Sequence, residues 1–355
     1  MLARIELTHS TCDQEPLNCD RWVAASLLQK SIRRGDTQLA LRASFHLSGL
    51  DRAYTWRRLL IIAFEDVGAA EPDALVETVA VATAPKWRSV RGEPQSLGYV
   101  VTRLAEAPKD RSADYLISAA ATHASLEGIR EICRRADLDS RLRVVEDASY
   151  PLPVRSLSAW FSSGMETRDG PRIEGGDLRR LSHLLVQLGV SEAFVSSTML
   201  AAQRTREPIT VLVPLIWLAS QERQRPTICN EAIPESPVFC GVPMYAFDKH
   251  TRLGQSAIRK LVQESVSLRA CLETYIPKQV WQKAAQMAAF YTDGYLIYRR
   301  LDWSLSRSLE VLGIESDFYR VGVQPGAGES LLTVLRSELD RLNAIRQGLW
   351  AARHK

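Results

Sequence analysis

Apolar residues recur at steps of three and four along most of the chain, and stretches in which Val, Ile, Thr and aromatic residues alternate with polar ones are few. That period predicts helices almost throughout. Asp20 caps a first helix that carries Trp22, Val23, Leu27, Leu28 and Ile32 and stops near Gly35. Asp36 caps a second through Leu39, Ala40, Ala43 and Leu47, and Asp51 starts a third that ends at Gly68. Pro72 and Pro94 each fit the first turn of a further helix. Additional helices are expected at about 110–122, 125–136, 152–162, 177–188, 191–204 and 208–223.

Two segments interrupt the pattern. The polar, glycine-rich METRDGPRIEGGD at 165–177 reads as a linker, and four prolines between 225 and 247 exclude a helix there. The expected fold class is all-α, a multi-helix bundle. Its parts are an N-terminal extension at 1–20, a helical domain at 21–164, the linker, and a second helical domain at 178–355 with the proline-rich loop at 225–247. A last helix, 329–351, aligns Leu332, Leu335, Leu339, Leu342, Ile345 and Leu349 in one apolar stripe. The stripe fits packing on its own core, and Leu335, Leu339, Leu342 and Leu349 are also the candidates for contact with a partner chain. The QPGAGES that precedes this helix is no phosphate loop, because Glu329 stands where a lysine should meet the phosphates.

Composition narrows the function. No run of about 18 apolar residues exists, and MLARIELTHSTCDQEP lacks the apolar core of a secretory signal, so a cytoplasmic protein without a membrane partner is expected. Six scattered cysteines form no C-x-x-C pair, which predicts reduced thiols and no metal site. The net charge is only +4, but arginine supplies nearly all the positive charge, with eight lysines in the chain. Arginine's planar fork suits phosphate, although a GC-rich genome raises arginine content as well.

No H-e-x-x-H, G-x-S-x-G or strand-borne G-x-G-x-x-G pattern is present, and His123 with Glu127 reads as a surface pair one helical turn apart. Neither catalytic residues nor a cofactor are expected. DKHTRLG at 248–254 gathers Lys249, His250 and Arg252 at a helix start, where an anion could sit or where Asp248 or Thr251 simply caps the helix. In YTDGYLIYRRLDWSLSRS, 291–308, Tyr291, Tyr295, Tyr298 and Trp303 interleave with Arg299, Arg300 and Arg307, a pattern able to stack bases and neutralise phosphates, or to form one buried helix face. A rival reading places a metal-dependent nuclease site at Asp248, His250 and Glu264, without support from spacing.

Three blocks add a resemblance. SLLQKSIRRGDTQLALRA at 26–43, WRRLLIIAFEDVGAAEPDAL at 56–75 and RLAEAPKDRSADYLISAA at 103–120 resemble, in order and spacing, the helical C-terminal region of the RarA/MgsA replication-associated recombination AAA+ ATPases, relatives of clamp loaders. The resemblance covers about residues 22–121; the family's ATPase core would precede it, and here only about twenty residues do. It implies a clamp-loader-collar-like N-terminal domain, assembly into a homo-oligomer, and association with DNA or with a replication or recombination protein. The expected function is then a non-enzymatic accessory factor of replication, recombination or repair, of a kind that would suit a plasmid, prophage or defence island. A pure protein-binding scaffold is the alternative. Arg33, Arg34, Arg57 and Arg58 become candidate phosphate contacts, and Glu65 and Asp66 are expected to pair with Arg57, Arg58 or Lys30 within the bundle.

Overall fold

The computed structural model describes residues 17–167, 172–222 and 225–353. Its described residues are helical for the most part, with two small two-stranded sheets, so the chain is all-α. In chain order the helices begin with α1 (Arg21–Arg34), α2 (Thr37–Leu50), α3 (Arg52–Ile62), α4 (Pro72–Ala82), α5 (Pro85–Arg91), α6 (Glu93–Glu106) and α7 (Ser112–Thr122). Then come α8 (Glu127–Arg135), α9 (Leu138–Glu146), α10 (Leu152–Ser163), α11 (Leu178–Gln187), α12 (Glu192–Thr205) and α13 (Ile209–Gln221). The remainder are α14 (Arg252–Glu264), α15 (Val266–Tyr275), α16 (Trp281–Ala289), α17 (Ser306–Arg320), α18 (Pro325–Ser337) and α19 (Leu339–Ala351).

Local chemistry sets the first boundaries. The Asp20 carboxylate accepts from the N–H groups of Trp22 and Val23 at 2.9 and 3.0 Å, Asp36 accepts from Leu39 at 3.0 Å, and Asp51 accepts from Tyr54 at 3.0 Å. Gly35, at φ 72°, closes α1 in the left-handed conformation that favours glycine. The third helix does not run straight to Gly68: α3 widens into a π-helical turn over Ala63–Val67 before Gly68 ends it. A second π turn, Phe290–Gly294, follows α16, and it too ends on a glycine.

The chain forms two compact units, each assembled from separated stretches. The first contains residues 56–230 and 299–316. Its centre is α13, where Val211, Leu212, Val213, Leu215 and Ile216 are all fully buried. A helix apolar on every side belongs in the middle of a bundle, and α13 accordingly packs on α7, α10 and α12. β1 (Thr227–Asn230) pairs antiparallel with β4 (Arg299–Asp302), Ile228 opposite Leu301, and Lys109 adds a bridge on β4. Of the segment 165–177, read above as a linker, residues 168–171 lie outside the described residues, and 165–167 and 172–177 belong to this unit. There the indole of Trp160 donates to the Met165 carbonyl and the Asp177 N–H donates to Ser162, at 2.8 and 2.7 Å.

The second unit contains residues 17–55, 231–298 and 317–353. α1 packs on α2, α14 on α19, and α18 on α15 and α16. The proline-rich stretch is non-helical as expected, apart from a 3-10 turn at Met244–Ala246. It forms β1 and a small hairpin of β2 (Val238–Phe239) and β3 (Val242–Pro243). The expected single helix 329–351 is instead two, α18 and α19, parted at Glu338. The Glu338 carboxylate accepts from the hydroxyls of Ser265 and Ser267, contacts that hold the break in place. Leu335 and Leu342 are fully buried in the unit's own core, whereas Leu339 and Leu349 are half-buried. The QPGAGES segment opens α18.

Candidate nucleic-acid interface

In the second unit, the DKHTRLG turn is built on an ion pair that sequence reading did not anticipate. Asp248, 2% exposed, receives the Lys30 ammonium at 2.6 Å on one carboxylate oxygen and the His250 N–H at 2.8 Å on the other. Thr251 then caps α14 by accepting from the Gly254 N–H at 3.1 Å. A side chain at Gly254 would run into the Asp248 backbone, so the turn can close this tightly only on glycine. Burial pushes the Lys30 amine down to about 8, against the pull of Asp248. Burial alone would raise the Asp248 carboxyl, but the charges of Lys30 and His250 outweigh it and bring it down to about 2. With its acid turned inward, the turn presents two of its three bases outward. His250 and Arg252 are exposed, and the half-buried Lys249 places its ammonium 4.2 Å from the centre of the Phe290 ring.

Two of the predicted phosphate ligands are drawn the other way. Arg33 is buried and donates to the Gly294 carbonyl at 2.7 Å, and Arg34 donates to the Asp293 carbonyl at 2.8 Å while lying over the Tyr245 ring. The Asp293 side chain pairs with the fully buried Arg346, which Asn343 also holds at 2.9 Å. The second π turn is thus gripped by three arginines from both ends of the sequence.

The first unit repeats the device. Asp66, in the first π turn, pairs with the buried Arg111, which also reaches Glu65 at 3.2 Å and Asp114. Arg111 was not among the expected partners, and Lys30, which was, pairs with Asp248 in the other unit. Arg57 is half exposed, donates to the Thr205 carbonyl at 3.0 Å and lies 4.0 Å from Glu207; Arg58 is half-buried. Arg299 is exposed and donates to the Glu106 carbonyl at 2.9 Å. Arg300 is 4% exposed and grips Glu310 with both terminal nitrogens at 3.1 and 3.2 Å, and Arg307 reaches the same carboxylate at 3.3 Å.

The aromatics of 291–303 are mostly internal. Tyr291, Tyr295 and Trp303 are buried, Tyr291 donating to Asp317 at 2.8 Å, and Tyr298 is the exposed one. Among the described residues no group of three His, Cys, Asp or Glu side chains is placed to hold a metal ion. Of the residues in the nuclease reading, Asp248 is tied to Lys30 and to the His250 N–H, and Glu264 to Lys260 and Arg341.

Sequence reasoning missed the continuation of the basic turn along α14, where Arg259 and Lys260 are exposed. The signal was present: RLGQSAIRKLVQ, 252–263, contains three cations and no acid.

Residues 41–137 match the family model described as the C-terminal region of MgsA AAA+ ATPases, a span that takes in the second and third sequence blocks and the end of the first. Over 126 residues, 34% of this chain, the protein is 29% identical to an uncharacterized AAA domain-containing protein, Rv2559c, of Mycobacterium tuberculosis (strain ATCC 25618 / H37Rv). The match covers 28% of that relative's length. No solved structure matches. The chain therefore carries, over residues 41–137, a helical region similar to the C-terminal part of MgsA/RarA-like AAA+ proteins.

Proposed function

We propose that the protein is a non-enzymatic accessory factor in DNA replication, recombination or repair, acting through self-association and through contact with DNA or a replication protein. The observation that carries this reading is the match of residues 41–137 to the MgsA C-terminal region, a part of that family distinct from its ATPase core. The exposed His250 and Arg252, with the half-buried Lys249 beside them, support a phosphate contact in the second unit, and Arg57, Arg299 and Arg307 retain enough exposure for a separate one in the first. Arg33 and Arg300 are spent on buried partners and serve the fold. Leu339 and Leu349 are the two stripe leucines with surface left for a second chain.

The test is the mass of the purified protein by light scattering, with and without a forked DNA, at two salt concentrations. The expected result is a multimer that binds the fork, with an affinity that falls steeply as salt rises, because each neutralised phosphate releases counterions. A monomer whose mass is indifferent to the DNA would sink the reading.

A further inference from the structure

We infer that the outward face of α14 is a contact surface for the phosphate backbone of duplex DNA, a step that rests on the DNA-binding reading above. Leu253, Ala257, Ile258 and Leu261 bury the inner side of this helix. Opposite them Arg252, Ser256, Arg259 and Gln263 are exposed, at steps of four, three and four that keep them on one face, with Lys260 beside them. At about 1.5 Å per residue the two arginines stand roughly 10 Å apart along the axis and the whole row spans about 16 Å, a length that suits a DNA groove and its flanking phosphates.

Charge selects the partner. Between Lys249 and Gln263 the chain has no acidic residue; of the helices that pack on α14, α16 adds the exposed Lys283 and no acid, while α19 and α15 each add one exposed acid and one exposed base, Asp340 with Arg341 and Glu273 with Arg269. The acids at the two ends are already engaged, Asp248 by Lys30 at 2.6 Å and Glu264 by Lys260 at 3.7 Å. Some exposed arginines elsewhere are paired with carboxylates, as Arg134 with Glu131, Arg180 with Asp139 and Arg320 with Asp317, and others, such as Arg52 and Arg91, have no such pair among the described residues. Among the described residues Arg252 and Arg259 have no such partner, so their field is uncancelled. The chemistry of the face separates duplex from single strand. Single-strand binders stack bases on exposed aromatic rings, and this face has none; Arg, Lys, Ser and Gln are the side chains that bond phosphate oxygens.

The experiment measures binding of the full chain to a 30-base-pair duplex and to a single strand of equal length, by fluorescence anisotropy between 50 and 200 mM salt. Three variants accompany the wild type: Arg252→Glu/Arg259→Glu, the charge-conserving Arg252→Lys/Arg259→Lys, and a control of equal charge change on exposed residues of the other unit, Lys86→Glu/Arg91→Glu. All the altered side chains are exposed, and an unchanged melting curve certifies the fold. The charge reversal on α14 is expected to weaken duplex binding about tenfold or more and to lower the slope of log K against log salt by about two, at about 0.9 per phosphate contact. The lysine variant keeps the wild-type slope, and the control changes it by less than half as much. A wild type that binds duplex with a slope untouched by Arg252→Glu/Arg259→Glu would overturn the assignment of this face and leave the DNA reading standing. Preference for the single strand would overturn the choice of partner. A wild type that binds neither DNA would remove the DNA-contact reading and this surface together.

Discussion

Asp248→Ala is expected to lower the stability of the protein by about 3–5 kcal/mol, the usual consequence of leaving one partner of a buried ion pair alone. Lys30 and Asp248 are 3% and 2% exposed, and the ammonium lies 2.6 Å from the carboxylate. Without Asp248 the Lys30 ammonium keeps the Ser26 hydroxyl as a neighbour and loses its counter-charge. Lys30→Met should cost a similar amount by stranding the carboxylate. The double variant Lys30→Met/Asp248→Leu should recover much of the loss, because apolar groups of similar volume often replace a buried pair at little cost. Denaturant unfolding followed by circular dichroism measures the cycle, and single variants within 1 kcal/mol of wild type would mean that water reaches the pair. The pH dependence has a definite sign. Asp248, held at about 2 in the fold and near 3.9 when unfolded, contributes stability that is present above about pH 4 and is lost as pH falls toward 2. Lys30 is depressed as well, to about 8 against roughly 10.4 unfolded, so between those values the unfolded chain holds the extra proton. The wild type should therefore gain stability relative to Lys30→Met as pH rises from about 8 to 10. A gap that narrows over that range would contradict the burial of the amine.

What could be read from the sequence was what neighbours along the chain decide. Asp20, Asp36 and Asp51 cap helices with side chains that reach only two or three residues ahead, and Pro72 and Pro94 sit where a missing N–H costs nothing. The features that escaped depend on residues far away. The break at Glu338 exists because Ser265 and Ser267, some seventy positions earlier, offer it two hydroxyls. β1 and β4 are four residues each and pair across a gap that puts Thr227 opposite Asp302, too short a pattern to register as alternation. The same limit governs the charged residues. Arg33 and Arg300 look like any other surface arginine, and partners beyond their immediate neighbours in the chain, the Gly294 carbonyl and the Glu310 carboxylate among them, turn them inward. The candidate surface was half legible: the turn at Lys249, His250 and Arg252 stood out as a cluster, whereas Arg259 and Lys260 are signalled by the lack of acids around them. Absence of a residue type is harder to notice than its concentration.

Gly68→Ala is the substitution expected to do the most damage in the first unit, at about 4 kcal/mol or more. Gly68 has φ 54° and ψ −136°, a region that L side chains rarely enter, and an added Cβ would stand 2.2 Å from the Asp110 carbonyl oxygen. The obstruction is backbone, so no rotamer change relieves it. The Asp110 N–H donates to the Asp66 and Val67 carbonyls at 3.0 and 3.2 Å, which straps the segment around Lys109 and Asp110 across the end of the π turn. Pushing that strap away would pull Arg111 from the buried Asp66 and strain the two backbone bonds that tie Lys109 to β4, at 2.8 and 2.9 Å. Gly128→Ala is the comparison: it lies on the exposed α8 with nothing within 4 Å of the new methyl, and alanine there should stabilise by about 0.5–1 kcal/mol. Thermal melting of the two variants beside the wild type decides the matter. Gly128→Ala should melt slightly higher, and Gly68→Ala should melt about ten degrees lower or fail to accumulate as folded protein. Equal melting of both would mean that the strap yields. A large split would explain why the EDVG of the second sequence block and the APKD of the third are found together: the glycine of one is the only surface against which the backbone of the other can close.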